Sequence, residues 1–136
     1  MGRFTTGDIE YKFMVAVQSS RAADRFGYLG ETIFYEDEET KEVFSVELHY
    51  IFDKNDLKYV EKELENIKNN LTDNLEKIDL FFNSRKVYQV EELALFLNKT
   101  AEETFEILHE YADFRLGNKI KECIEQKGKC EFYAEI

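Results

Sequence analysis

The chain has 136 residues, 15% of them aromatic, and a net charge of −11 from 18 basic and 29 acidic side chains. This length fits a single domain, residues 1–136, able to bury a core without disulfide staples, and the apolar content excludes a disordered chain. A field of this sign repels polyanions, which argues against duplex nucleic acid and anionic membranes as partners but leaves room for one small phosphorylated ligand in a local basic pocket.

The only cysteines are Cys123 and Cys130, and the sequence opens without an apolar signal segment, so a reduced, cytoplasmic protein is expected. No apolar run approaches the roughly 20 residues that span a bilayer. His49 and His109 show no ligand-pair spacing with each other or with the cysteines, so no metal site is expected, and no cofactor either.

In chain order, residues 8–18 alternate and then become continuously apolar, which predicts a strand entering the core. Ser20 is placed to cap a short helix through Ala22 and Ala23 that Gly27 stops. Residues 32–36 and 43–51, rich in Phe, Tyr, Val and Ile, flank an acidic connection and read as a β-hairpin. From Asn55 to about Arg85 there is no Gly or Pro, and Leu57, Leu64, Leu71 and Ile78 recur every seven residues. That spacing predicts one long amphipathic helix whose stripe packs either inside the chain or against a second copy. A short helix over 90–98 follows. Thr100 and Glu103 then form a capping box that starts a third helix, which Gly117 weakens or bends and Gly128 ends. Cys130 to Ile136 alternate like a terminal strand. The fold class is α+β: a small antiparallel sheet with a long amphipathic helix and two further C-terminal helices.

No nucleophile elbow, Gly-rich phosphate loop or His-pair metal motif appears, and the many acidic pairs read as solvated faces, so a binding protein is expected rather than an enzyme. The helix pair over 90–124 has the order of a helix-turn-helix, but Glu102, Glu103, Glu106 and Glu110 stand where a recognition helix would meet phosphates. Basic residues gather in two places. Arg21 and Arg25 are spaced to share one helix face and, with Gln18, form a candidate anion site; two surface arginines paired with carboxylates are the alternative. Asp113, Phe114 and Arg115 combine a hydroxyl acceptor, a ring and a phosphate donor in three residues, and Arg85, Tyr88 and Asn98 could add a stacking ring and an amide. Tyr88, Asn98, Asp113 and Arg115 are therefore the candidate ligand-binding residues.

The opening Gly7-Asp-Ile-Glu-Tyr-Lys-Phe-Met-Val-Ala-Val-Gln-Ser-Ser-Arg-Ala-Ala-Asp-Arg-Phe-Gly27, the long helix, and the spacing of Asn98, Asp113 and Arg115 resemble the first family of Thoeris anti-defence proteins. The resemblance spans nearly the whole chain. It implies a phage-encoded sponge that binds glycocyclic ADP-ribose without cleaving it, through recessed pockets at the interface of a homodimer that assembles further into a hexamer. It also implies adenine stacking on an aromatic residue, for which Tyr88 is the candidate here where the family pattern has Phe, and ligand contacts from Asn98 and Arg115. A second site for cyclic oligonucleotides, lined by Arg21 and Arg25, is a further implication. The competing expectation is an acidic interaction module that inhibits a basic nucleic-acid-binding partner, which would account directly for the charge of −11.

Overall fold

A computed structural model describes residues 4–13, 18–83 and 90–136. The described residues form an α+β fold: five antiparallel strands and four α-helices. The strands are β1 (Phe4–Gly7), β2 (Tyr11–Lys12), β3 (Glu31–Glu36), β4 (Val43–Asp53) and β5 (Lys129–Glu135), and the helices are α1 (Leu57–Leu71), α2 (Asn74–Asn83), α3 (Val90–Leu97) and α4 (Ala101–Lys127). The sheet order is β2-β1-β5-β4-β3.

The expected hairpin is β3–β4, paired from Glu31 opposite His49 to Glu36 opposite Val43. The terminal strand does not merely finish the sheet. As β5 it lies at the centre, between β1 and β4, so the two ends of the chain are stitched together. Its alternation is the reason. Cys130, Phe132 and Ala134 are buried on the helix-covered face, and Phe132 stacks on Tyr50 of β4 with ring centroids 5.1 Å apart.

Three expectations are corrected. The strand expected over 8–18 is limited, among the described residues, to the two-residue β2, and a separate strand, β1, precedes it; residues 14–17 lie outside the described chain. The short helix is a 3-10 helix, Ala22–Phe26, whose N-cap is Arg21 and not Ser20, with no side-chain cap bond; the Ser19 Oγ accepts from the Arg21 N–H at 3.1 Å. Gly27 closes it at φ 100, the left-handed conformation glycine adopts freely. The single long helix is two: Thr72, at φ 52 and ψ −130, ends α1, and α2 restarts at Asn74.

That break lets the heptad stripe stay inside the chain. Val60, Leu64, Ile67 and Leu71 of α1 and Ile78 and Phe81 of α2 are all buried in a hydrophobic cluster that also holds Leu108, Leu116, Ile120 and Ile124 of α4. Helix α4 begins as expected: Thr100 Oγ1 accepts from the Glu103 N–H, and the Glu103 carboxylate accepts from the Thr100 N–H. It runs unbroken through Gly117. A Cβ there would come within 2.4 Å of the Phe26 ring and 2.7 Å of Leu64, so the missing side chain is what allows α1, α4 and the 3-10 helix to meet.

Candidate functional site

The 3-10 helix lays Arg25 against the α1–α4 seam, where Gln18 and Arg25 of one candidate set meet Asp113 of the other. Arg25 extends between the helices, where Nη1 donates to Asp113 Oδ2 at 2.8 Å and Glu110 Oε1 at 3.1 Å, and Nη2 donates to Glu63 Oε1 at 3.1 Å. Gln18 Nε2 donates to the other Asp113 oxygen at 2.9 Å. Tyr11 in turn directs its hydroxyl at Gln18 Oε1 (2.8 Å) and the Ala112 carbonyl (3.0 Å). Gln18 and Asp113 are buried, and Arg25 keeps 24% of its side chain exposed.

The electrostatics follow from this packing. Burial disfavours the charged guanidinium of Arg25, but its hydrogen bonds to Asp113, Glu110 and Glu63 together outweigh that and hold the cation more firmly than in water. Burial is also what pushes the Tyr11 phenol up to about 12, against the opposing charge of Arg115 and the Gln18 hydrogen bond. Arg25, Gln18 and Asp113 thus form an anchor pinning the segment from Gln18 to Phe26 onto the helices. Both oxygens of Asp113 accept hydrogen bonds inside the chain and only 2% of its side chain is exposed, so its carboxylate is not open to a ribose.

Arg21 is different. It is exposed, and it reaches Asp24 Oδ2 at 3.3 Å, the Gly30 carbonyl at 3.4 Å and Thr32 Oγ1 at 3.1 Å. It stands between two adjoining clefts that share it and Ser19. The larger, about 430 Å³, continues over Ala22, Asp24 and the Arg25 anchor to His109. The smaller, about 300 Å³, is lined by Ser19, Ser20, Arg21, Thr32, Ser45, Leu48 and Ile136, which places four hydroxyl-bearing side chains around one guanidinium. Such a set can bind a phosphate: the guanidinium supplies planar paired donors and the hydroxyls supply adaptable ones.

Of the other sequence candidates, Asn98 is exposed and ends α3 at φ 56, its N–H donating to the Leu95 carbonyl at 3.2 Å. Arg115 is exposed on α4, and its charge is felt by the phenols of Tyr11 and Tyr111. Neither lines the two clefts. Tyr88, like Arg85, lies outside the described residues.

Sequence reasoning missed Glu63, Glu110, Tyr11, Thr32 and Ser45. Glu110 and Asp113 are spaced i, i+3 on one helix face, a carboxylate pair that could have marked the landing point of an arginine. Glu63 carries no local signal. His109 Nδ1 lies 3.9 Å from Asp113 Oδ2, too far for a hydrogen bond, and among the described residues none joins Ser19 to that ring. No group of three or more metal-binding side chains occurs among the described residues, and none of their helices is long and apolar enough to cross a membrane.

Comparison of the chain with known protein families, with curated proteins and with solved structures finds no match.

Proposed function

We propose that the protein is a non-catalytic sponge that captures a cyclic ADP-ribose-type signalling nucleotide and holds it intact. On the resemblance to the first Thoeris anti-defence family, the ligand is glycocyclic ADP-ribose and the setting is the cytoplasm of a phage-infected bacterium. The observation that carries the reading is the half-exposed Arg21 guanidinium between two adjoining clefts, with the hydroxyls of Ser19, Ser20, Thr32 and Ser45 around the smaller one. Arg115, exposed on α4 outside both clefts, is a second candidate cation whose part in binding the test below decides. Sequestration needs only tight sites in excess of the signal, and a buried anchor such as Arg25–Asp113 keeps a site preorganised, which lowers the entropic cost of binding. A homodimer that assembles to a hexamer belongs to the same proposal, and exposed Leu95 and Phe96 on α3 and Phe105 on α4 offer apolar surface for it.

The test is to incubate the protein with glycocyclic ADP-ribose, filter off the protein, heat the retained fraction and identify what is released by mass spectrometry. Intact ligand that disappears from the filtrate and returns on heating supports the sponge. The Arg21→Ala and Arg115→Ala proteins then assign the site, each losing about tenfold in affinity or more where it makes a charged phosphate contact. Ligand that stays free and unchanged removes the reading, and new products at substoichiometric protein mean an enzyme.

The second reading, an acidic module for a basic protein partner, draws on the β3–β4 hairpin. Phe34, Tyr35, Val43 and Phe44 are exposed there, beside a connection containing Asp37, Glu38, Glu39 and Glu42. It requires association with a basic protein that weakens with salt, in a chain with no affinity for nucleotides.

A further inference from the structure

A lysine-lined groove runs along the opposite flank of the α1–α4 seam from the Arg25 anchor. Glu63 and Asn70 mark the anchor's flank of α1, both reaching toward Glu110 or Arg25. Lys58, Lys62 and Lys68 line the other, and α4 contributes Phe114, Asn118 and Lys121 at i, i+4 and i+7, one continuous face. The groove holds about 530 Å³, within the range of pockets that enclose small ligands.

Four lysines gathered in one groove of a chain with a net charge of −11 need a reason. The ordinary one is pairing with neighbouring carboxylates, and Glu61 and Glu65 line the same groove at helical spacing. Yet among the described residues no carboxylate oxygen lies within 4.0 Å of any of the four ammonium groups. Lys58 instead sits 5.1 Å from the centre of the Tyr59 ring. The side-chain amide of half-buried Asn118 likewise has no hydrogen-bond partner among the described residues. At the base of the groove are the buried Leu64 and the half-buried Phe114, the latter packed against the core. Ammonium groups without carboxylate partners around an aromatic floor, with an unpaired amide beside it, match one class of ligand: a planar heterocycle carrying a chain of phosphates. The ring lies on Phe114, the amide reads its edge, and the lysines hold the phosphates.

We propose that the α1–α4 groove binds a nucleoside polyphosphate, with Lys62, Lys68 and Lys121 on the phosphates and Phe114 and Asn118 on the base. This site shares no lining residue with the clefts around Arg21, so its fate is separate from that of the sponge reading.

The test uses the full chain, isotopically labelled, titrated with adenosine triphosphate in 50 mM salt while backbone amide shifts are followed. The expected result is saturable 1:1 binding, with shifts concentrated on Lys58–Lys68 and Phe114–Lys121. Lys62→Gln and Lys121→Gln, checked to be folded under the same conditions, should each weaken binding by about fivefold or more. Lys119→Gln, which removes the same charge from α4 outside the groove, and Arg21→Gln should leave it unchanged. Shifts that are absent, or scattered over both faces of α4, overturn the proposal. So does an affinity that Lys62→Gln and Lys121→Gln lower no more than Lys119→Gln does.

Discussion

Arg25 is the shared cation of three carboxylates, and one of them, on Asp113, has only 2% of its side chain exposed. Replacing Arg25 with Met keeps the aliphatic reach but leaves that carboxylate buried beside Glu110 with no cation, the situation in which breaking an ion pair costs most. Because the guanidinium keeps contact with water, we expect the low end of the usual range, a loss of about 2–3 kcal/mol in urea unfolding. Adding Asp113→Asn should recover part of it, since a neutral amide needs no counter-charge; no recovery would mean that Arg25 acts through packing alone. Tyr11 makes a second case, through pH. With its pKa raised from 10.0 to about 12, the phenol is protonated in folded and unfolded chains alike below pH 10, and its hydrogen bonds to Gln18 and Ala112 contribute in full. Between pH 10 and about 12 the unfolded chain releases the proton first, so stability falls as pH rises, by up to about 1.4 kcal/mol per pH unit. Tyr11→Phe should cost about 1–2 kcal/mol at pH 7 and make the decline above pH 10 shallower; an unchanged alkaline slope would assign that decline to other phenols, of which Tyr111, also raised to about 12, is the nearest candidate.

At the level of elements, two departures from ordinary backbone preferences act in opposite senses. Gly117 in mid-helix gives up about 1 kcal/mol of helix propensity relative to Ala. The methyl that would restore it has no room, facing Phe26 at 2.4 Å and Leu64 at 2.7 Å. Gly117→Ala should therefore destabilise by about 1–3 kcal/mol in thermal unfolding, and a stabilised variant would show that the seam yields easily. Thr72 is the reverse: a β-branched residue at φ 52, ψ −130 is strained, and Thr72→Gly should stabilise by about 0.5–1 kcal/mol. These two sites also mark what the sequence could convey. The capping box at Thr100–Glu103, the glycine stop at 128 and the alternation of β5 are local chemistry and are legible as such. The break at Thr72 is not, because no Gly or Pro announces it and the heptad pattern runs through it undisturbed; docking of α1 and α2 around α4 imposes the turn. The candidate site was legible in its parts and not in their arrangement. Gln18, Arg25 and Asp113 were each singled out, but Arg25 and Asp113 are 88 residues apart, and periodicity carries no trace of a contact at that range.

For the whole molecule, the charge of −11 and the ion pairs at Arg25 respond to salt in opposite directions. Self-repulsion acts across the surface over distances comparable to the Debye length, which shrinks from about 30 Å in 0.01 M salt toward about 3 Å near 1 M. The Arg25 pairs are 2.8 to 3.1 Å contacts in a partly buried seam, where added ions screen them much less. The long-range term is thus the one that salt removes, and folding gains from its removal, since the compact state crowds like charges more than the unfolded chain does. We expect the melting temperature to rise by about 3–6 °C between 0.01 M and 0.5 M sodium chloride, corresponding to about 1 kcal/mol for a chain of this size. Groove lysines without carboxylate partners sharpen the expectation, because Lys62→Gln and Lys121→Gln each make the net charge more negative and should steepen the salt dependence without changing the high-salt plateau. A melting temperature that falls with salt would mean that attractive pairs outweigh the net repulsion. In that case the groove lysines would have to be stabilising the fold through the surrounding acidic field, and their removal would lower the plateau as well as the slope.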